Sequence, residues 1–143
     1  MTKVFLDTNI LIRYLTRDDP KKAKQAKSAI DKLEKNTLTA ITTEAVIIEA
    51  VHILSSKKLY NLPREEVKRH LAALVRLKGL KIPNKLTYLR AFDLYASSTI
   101  DFVDVLLIAH MQRTKISTIL SFDQDFDRIP GVKRLEPVID SHP

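Results

Sequence analysis

The feature that most constrains the fold is a repeated alternation of short apolar stretches with longer segments whose apolar residues have helical spacing. The strand-like stretches are residues 3–6, 38–41, 80–82, 116–120 and 131–135. The helical segments are residues 8–16, 21–35, 42–56, 63–79, 84–97 and 101–114. Only two glycines occur, and no hairpin turn joins neighbouring strands. This order predicts an α/β fold, a three-layer α/β/α sandwich with a central, mostly parallel sheet, in one domain over residues 1–143.

Composition narrows the class of protein further. The 143 residues are 45% apolar, which suits one domain with a real core. There is no cysteine, so disulfides, thiolate metal sites and cysteine nucleophiles are excluded. No apolar run reaches the roughly 18 residues that span a bilayer, and Asp7 and Arg13 interrupt any signal-peptide core. We expect a soluble cytoplasmic protein with no membrane partner.

The positive charge is concentrated in the middle of the chain. The formal net charge is +7, and residues 57–90 hold ten Lys or Arg against Glu65 and Glu66 alone. A basic region of this kind indicates a polyanionic partner, nucleic acid first. The alternative is a solvated, lysine-rich helical surface, and charge alone does not separate the two.

Acidic residues stand where strands end and helices begin. Asp7 follows the first strand, and Ser121 and Asp123 follow the fourth. Asp101 and Asp104 lie three residues apart at the start of a helix. Since sites in parallel sheets form beyond the carboxyl ends of strands, these segments are expected at one sheet edge.

A fifth acid, Glu49, lies inside the apolar helix EAVIIEAVHIL. It follows Val46 by three residues and precedes Ile53 by four, so we expect it close to the core face. An unpaired carboxylate there would be costly and would need a partner.

Each acid also has a purely structural interpretation. Asp7 is placed to cap a helix, and Asp101 with Asp104 to form a capping box, which is the favoured role for Asp101. Asp125 and Asp127 are expected to be solvated loop acids.

Four acids meeting at one edge would repel one another by about 4 kcal/mol for each pair at ~4 Å and an effective dielectric near 20. A divalent cation would remove that repulsion, and all-oxygen ligation favours Mg²⁺ or Mn²⁺.

Four segments together, VFLDTNILIRYL, IIEAVHIL, DFVDVLLIA and SFDQDFDRIPGVKRLEP, resemble the PIN-domain ribonucleases along the whole chain. The group they look most like is the VapC-type toxins of toxin–antitoxin pairs. The resemblance implies a catalytic quartet of Asp7, Glu49, Asp104 and Asp123, with the metal on Asp7, Asp104 and Asp123. It implies supporting roles for four polar residues: Thr8, Asn9, Asp101 and Ser121.

Two details of this assignment depart from a simple match. Ser121 stands where threonine is more usual in the family and keeps the hydroxyl group. Glu44 competes with Glu49, which we prefer because AVHIL follows it.

The resemblance further implies an Mg²⁺- or Mn²⁺-dependent endoribonuclease with an RNA substrate, a cognate antitoxin and a homodimeric state. The residues expected to hold the RNA backbone are Arg13, Lys57, Lys58 and Arg64. Apolar residues of the early helices could form the dimer interface or belong to the core: Ile12, Leu15, Ala26 and Ile30.

Other functions stay open at this point. One is a housekeeping RNA-processing nuclease of the same family, and another is a non-catalytic nucleic-acid-binding module. A phosphotransferase working through an aspartyl phosphate is disfavoured, because no acid stands two residues after Asp7. His52 and His110 are expected to be packed or surface residues rather than general bases.

Overall fold

The computed structural model describes residues 2–140, and strands and helices alternate along them. The elements are β1 (Lys3–Phe5), α1 (Thr8–Thr16), α2 (Pro20–Glu34), β2 (Thr39–Ile41), α3 (Glu44–Ser55), α4 (Arg64–Val75), β3 (Leu80–Lys81), α5 (Lys85–Ser97), α6 (Phe102–Thr114), β4 (Thr118–Leu120) and β5 (Lys133–Leu135), with a 3₁₀ helix over Gln124–Arg128. Every predicted strand and helix is therefore present, with small changes at the ends. None of these helices is long and apolar enough to cross a membrane.

All strand pairings among the described residues are parallel, as predicted. One sheet has the order β1-β2-β3, with Val4 opposite Ala40 and Ala40 opposite Leu80. The other contains β4 and β5, with Ile119 opposite Arg134. The fold is the expected PIN-like α/β arrangement, but β1 and β4 lie in different sheets. Phe5 on β1 is 76% exposed and Leu120 on β4 is 68% exposed.

Helix α2 shows how local sequence sets an element boundary. Asp19 precedes the helix, and its carboxylate accepts a hydrogen bond of 3.1 Å from the backbone N–H of Lys22. Pro20 occupies the first helical position, where its missing N–H costs nothing. The predicted helix start is thus confirmed to within one residue.

Helix α4 ends earlier than predicted, at Val75 rather than near Gly79. Gly79 is needed for close packing instead of helix termination. A Cβ atom added there would lie 2.3 Å from the carbonyl oxygen of Leu38 and 2.8 Å from that of Leu33. The Gly79 N–H donates to the Leu33 carbonyl at 2.9 Å, which holds the segment before β3 against the end of α2.

The hydrophobic core draws side chains from all six helices. Phe92 of α5 stacks on Phe102 of α6 at 5.8 Å between ring centroids, and Tyr95 meets Phe102 edge-on at 5.5 Å. The early-helix residues left open between interface and core belong to the core. Ile12, Ala26 and Ile30 are buried, and Leu15 is partly buried against the core.

Candidate active site

The centre of the candidate site is a pair of carboxyl groups from separate segments. Asp104 lies in the first turn of α6, and Asp123 begins the 3₁₀ helix that follows β4. The two carboxyl groups lie near enough for the charge of Asp123 to act on Asp104. Burial raises the pKa of Asp104, and the negative charges of Asp123, Asp101 and Asp125 raise it further. The structure therefore concentrates negative charge at Asp104.

Asp123 is held in place by its neighbours. Its carboxylate accepts from the backbone N–H of Asp125 at 2.9 Å, and its own N–H donates to the Ser121 hydroxyl at 3.0 Å. The Ser121 backbone N–H donates to the carbonyl of Leu135 on β5 at 2.9 Å. Ser121 thus joins the Asp123 loop to the β4–β5 sheet.

Asp101 stands at the N-cap position of α6, but its side chain makes no capping hydrogen bond. The capping-box interpretation of Asp101 and Asp104 is therefore wrong. The backbone carbonyl of Asp101 accepts from Val105 N–H at 2.9 Å, so the main chain alone begins the helix. Its exposed carboxylate stays one helical turn from Asp104 and acts on it through charge.

Asp7 occupies the corresponding position before α1. It is exposed, and its side chain makes no capping hydrogen bond, so helix capping does not explain it. The next residue, Thr8, is only 2% exposed, while Asn9 is exposed. Asp7 follows β1, which belongs to the three-stranded sheet, whereas Asp123 follows β4 of the other sheet.

Glu49 is exposed, and the prediction that it points close to the core is wrong. The buried face of α3 is formed by Ile47, Ala50, Val51 and Leu54. Val46 and Ile53, on which the prediction relied, are only partly buried. The helix is rotated relative to the expected orientation, so Glu49 needs no buried partner.

Glu44, the competitor of Glu49, is engaged elsewhere. His110 Nε2 lies 2.6 Å from Glu44 Oε1, and the Tyr88 hydroxyl donates to the same oxygen at 3.3 Å. Arg113 donates to His110 Nδ1 at 3.3 Å, which leaves the ring proton on Nε2 for Glu44. Burial and the negative charge of Glu44 raise the pKa of Tyr88 to about 12. His110 is thus a packed residue linking α3 to α6, as expected.

The four predicted acids are not all grouped with one another. Among residues 2–140, no cluster of three or more His, Cys, Asp or Glu side chains is arranged to hold a metal ion. Asp104 and Asp123 supply two oxygen donors whose mutual repulsion a hard divalent cation would relieve, so their chemistry fits Mg²⁺ or Mn²⁺. Asp7 and Glu49 do not complete a three-ligand group with them in this arrangement.

The predicted RNA-binding cations differ in their availability. Arg13 donates to the Asp18 carboxylate at 2.9 Å. Arg64 donates to the carbonyls of Tyr95 and Ile100 at 3.0 and 2.7 Å, and its guanidinium lies 4.2 Å above the Tyr95 ring. Lys57 and Lys58, which follow α3, are exposed. The two lysines are therefore the freer candidates for phosphate contacts.

The chain falls in the class of parallel α/β proteins, with carboxylates after its strands and at helix starts. Within that class, residues 4–132 match the PIN domain family, and the chain belongs to this family of nucleases. The resemblance drawn from the four sequence motifs is thus confirmed at the level of the family.

Comparison with solved structures also finds matching chains. The chain is similar to a chain in the crystal structure of VapBC2 from Rickettsia felis bound to a DNA fragment from their promoter, with 19% identity and a TM-score of 0.38. The match covers 95% of this chain and 98% of that one. No curated protein sequence matches this chain significantly.

Proposed function

We propose that this PIN-domain protein is a metal-dependent endoribonuclease that hydrolyses RNA phosphodiester bonds. The observation that carries the proposal is the Asp104–Asp123 pair, in which partial burial and neighbouring charges already raise the pKa of Asp104. A fold gains nothing in stability from two adjoining carboxylates, so a charged ligand is the physical reason to keep them together.

Asp104 and Asp123 would hold the Mg²⁺ or Mn²⁺ ion. The family resemblance adds Asp7 as a third ligand, which the metal would have to draw in, because the three acids form no ready metal group in this arrangement. A bound divalent cation lowers the pKa of water and neutralises charge on a phosphate leaving group. Ser121 would keep Asp123 oriented through the hydrogen bond to its backbone N–H. Glu49, which is exposed on α3, would orient the attacking water, while Thr8, Asn9 and Asp101 would support the ligands.

The substrate assignment rests on charge and on the family resemblance. A net charge of +7 favours a polyanion, and the exposed Lys57 and Lys58 would contact the RNA backbone together with Arg13. Arg64 would contribute its charge from within the fold, since its guanidinium is held by two carbonyls.

We further propose the role of a type II toxin acting in the cytoplasm, with a cognate antitoxin and a homodimeric state. The resemblance to VapC-type toxins is the support for this role. Exposed apolar side chains on strands with an open edge, Phe5 on β1 and Leu120 on β4, are compatible with self-association.

The test is cleavage of a labelled RNA pool by wild type, Asp104→Asn and Asp140→Asn, each with Mg²⁺, Mn²⁺ or EDTA. Asp140→Asn is the matched control, because it removes the same charge at an exposed position near the end of the described chain. We expect wild type and Asp140→Asn to cut only with metal, and Asp104→Asn to lose at least about 10³-fold in rate. Equal cutting by Asp104→Asn would refute the assignment.

A non-catalytic nucleic-acid-binding module is the second candidate, favoured by the lack of a three-ligand acidic group among residues 2–140. It predicts RNA binding of equal strength with and without metal, and no cleavage by any variant. A toxin and a housekeeping nuclease would both cut, and they differ in whether a neighbouring gene product suppresses the activity.

A further inference from the structure

We infer that a cavity beside Asp101 binds a guanine base of the RNA and sets the sequence preference of cleavage. This inference rests on the proposed function and adds a specificity pocket to it. The cavity has a volume of about 300 Å³, at the lower end of the range for small-ligand pockets. It is bordered by α3, by the start of α4, by α5 and by the start of α6.

The position of the cavity suits a base attached to a phosphate at the acidic pair. Asp101 lies in its wall, and Asp104 follows one helical turn later, about 5 Å along the α6 axis. Asp101 and Asp104 are near enough for one to raise the pKa of the other. A nucleotide whose phosphate meets Asp104 could therefore place its base in the cavity.

The walls combine aromatic and aliphatic surface with a few polar groups. Tyr95 and Phe102 are buried and packed edge-on at 5.5 Å, which makes their side of the cavity rigid. Val51 adds apolar surface, and His52 and Ser55 add polar groups from α3. Unstacked RNA bases are commonly bound on such mixed aromatic and polar surfaces.

Two charged side chains in the wall define which base fits. Asp101 has a carboxylate that makes no capping hydrogen bond, so it can accept hydrogen bonds from a ligand. Arg64 also lines the cavity, and its guanidinium is fixed by the Tyr95 and Ile100 carbonyls and by the Tyr95 ring. The cavity thus offers an acceptor at one place and a fixed positive charge at another.

Guanine is the base that complements this pair. Its Watson–Crick edge has two adjacent donors, N1–H and the N2 amino group, which a carboxylate can accept together. Its O6 and N7 atoms are acceptors that favour a guanidinium. In adenine, cytosine and uracil the donor beside the carboxylate is flanked by an acceptor, which a carboxylate repels.

The experiment measures binding and cleavage separately. Binding of four RNA hexamers that differ at one central base is measured in EDTA, so that no cleavage occurs. Wild type should bind the guanine hexamer at least about tenfold more tightly than the others. In Mg²⁺, the ratio of cuts next to guanine over cuts next to adenine in one mixed RNA should show the same preference.

Two variants and one control connect the preference to the cavity. Ser55→Phe fills the cavity, and Asp101→Asn replaces a bidentate acceptor with a group that also donates; both should reduce the guanine preference about tenfold. Ala45→Phe adds the same ring as Ser55→Phe on an exposed position of α3 and should keep the preference. If Ser55→Phe does not unfold cooperatively, it is not properly folded, and the base preference of Asp101→Asn then serves as the test.

Equal binding of the four hexamers by wild type, or an unchanged preference in both variants, would overturn the guanine pocket. Failure of the proposed nuclease function looks different: wild type would then not cut in Mg²⁺, whatever its base preference in EDTA.

Discussion

Replacing Asp104 with asparagine should make the folded protein more stable while abolishing its activity. In the folded state, burial and three neighbouring acids raise the pKa of Asp104 above its ordinary value of 3.8. A carboxyl group with a raised pKa binds its proton more tightly when the chain is folded. Its ionisation therefore costs stability, and Asp104→Asn removes that cost without changing the shape of the side chain much.

Burial of the Asp104 carboxylate is the largest cause of this cost, and the nearby negative charge of Asp123 adds a repulsion whose size can be worked out. Two carboxylates at about 4 Å repel by about 4 kcal/mol at an effective dielectric near 20. Asp123 is exposed, so solvent screening reduces this to about 1–2 kcal/mol. For a chain of this length, that corresponds to a rise in Tm of roughly 3–8 °C.

The assay is thermal unfolding of wild type and Asp104→Asn in EDTA, at pH 7 and near pH 3. Asp140→Asn controls for the change in net charge. Because the folded pKa of Asp104 is raised, the repulsion is present in full above that pKa and disappears as the pH falls below the ordinary value. The Tm of Asp104→Asn should therefore exceed that of wild type at pH 7 and equal it near pH 3.

A double variant tests the cause. If the two carboxylates repel each other, the double variant Asp104→Asn/Asp123→Asn should be only slightly more stable than Asp104→Asn alone. Equal stability of Asp104→Asn and wild type at pH 7, or a gain that persists unchanged near pH 3, would refute the argument. Added Mg²⁺ should raise the Tm of wild type more than that of the variant, since the metal binds the charged pair.

Three further predictions concern contacts away from the pair. Gly79→Ala should lower the free energy of unfolding, measured by urea titration, by about 1–3 kcal/mol. The reason is that the new Cβ would lie 2.3 Å from a backbone oxygen. Stability equal to that of wild type would contradict this close packing. Arg64→Ala should lower the free energy of unfolding by about 2–3 kcal/mol in the same assay, because it removes two hydrogen bonds to carbonyls and one aromatic contact. If Arg64 served only to bind RNA, the substitution would leave stability unchanged. The raised pKa of Tyr88, about 12, means that its ionisation opposes folding, so stability should fall between pH 10 and 12. That fall should be smaller in Tyr88→Phe, and tyrosinate absorbance should show a lower Tyr88 pKa in Glu44→Gln.

Elements with local causes were predictable from the sequence. Helix α2 begins where Asp19 and Pro20 indicate, because the cap and the proline act within one turn of the chain. The order of strands and helices followed from apolar spacing for the same reason. The boundary of α4 was not predictable, because Gly79 is packed against the backbone oxygens of Leu33 and Leu38, which lie far earlier in the chain.

In the candidate site, too, only the features with local causes were predictable from the sequence. The position of Asp104 in a first helical turn and of Asp123 after a strand followed from the sequence. The exposure of Glu49 did not, because both faces of α3 are rich in apolar residues and only its neighbours determine which face is buried. The hydrogen bonds of Arg64 were also not predictable from the sequence, since its two carbonyl partners lie more than 30 residues away.

The sequence by itself determined the class of this protein: alternating strands and helices, a parallel pairing of strands, and a PIN-type series of acids. The alternation and the positions of the acids depend on spacing and on hydrogen bonds among near neighbours, which the order of residues specifies directly. The parallel pairing follows from the alternation, because a helix between two strands carries the chain back to the same end of the sheet. Only the tertiary structure decided that Asp123 lies near enough to Asp104 to raise its pKa, that Glu44 pairs with His110, and that the Asp101 carboxylate makes no capping hydrogen bond. Such contacts join distant segments, and they depend on how each helix is rotated and packed rather than on its own sequence.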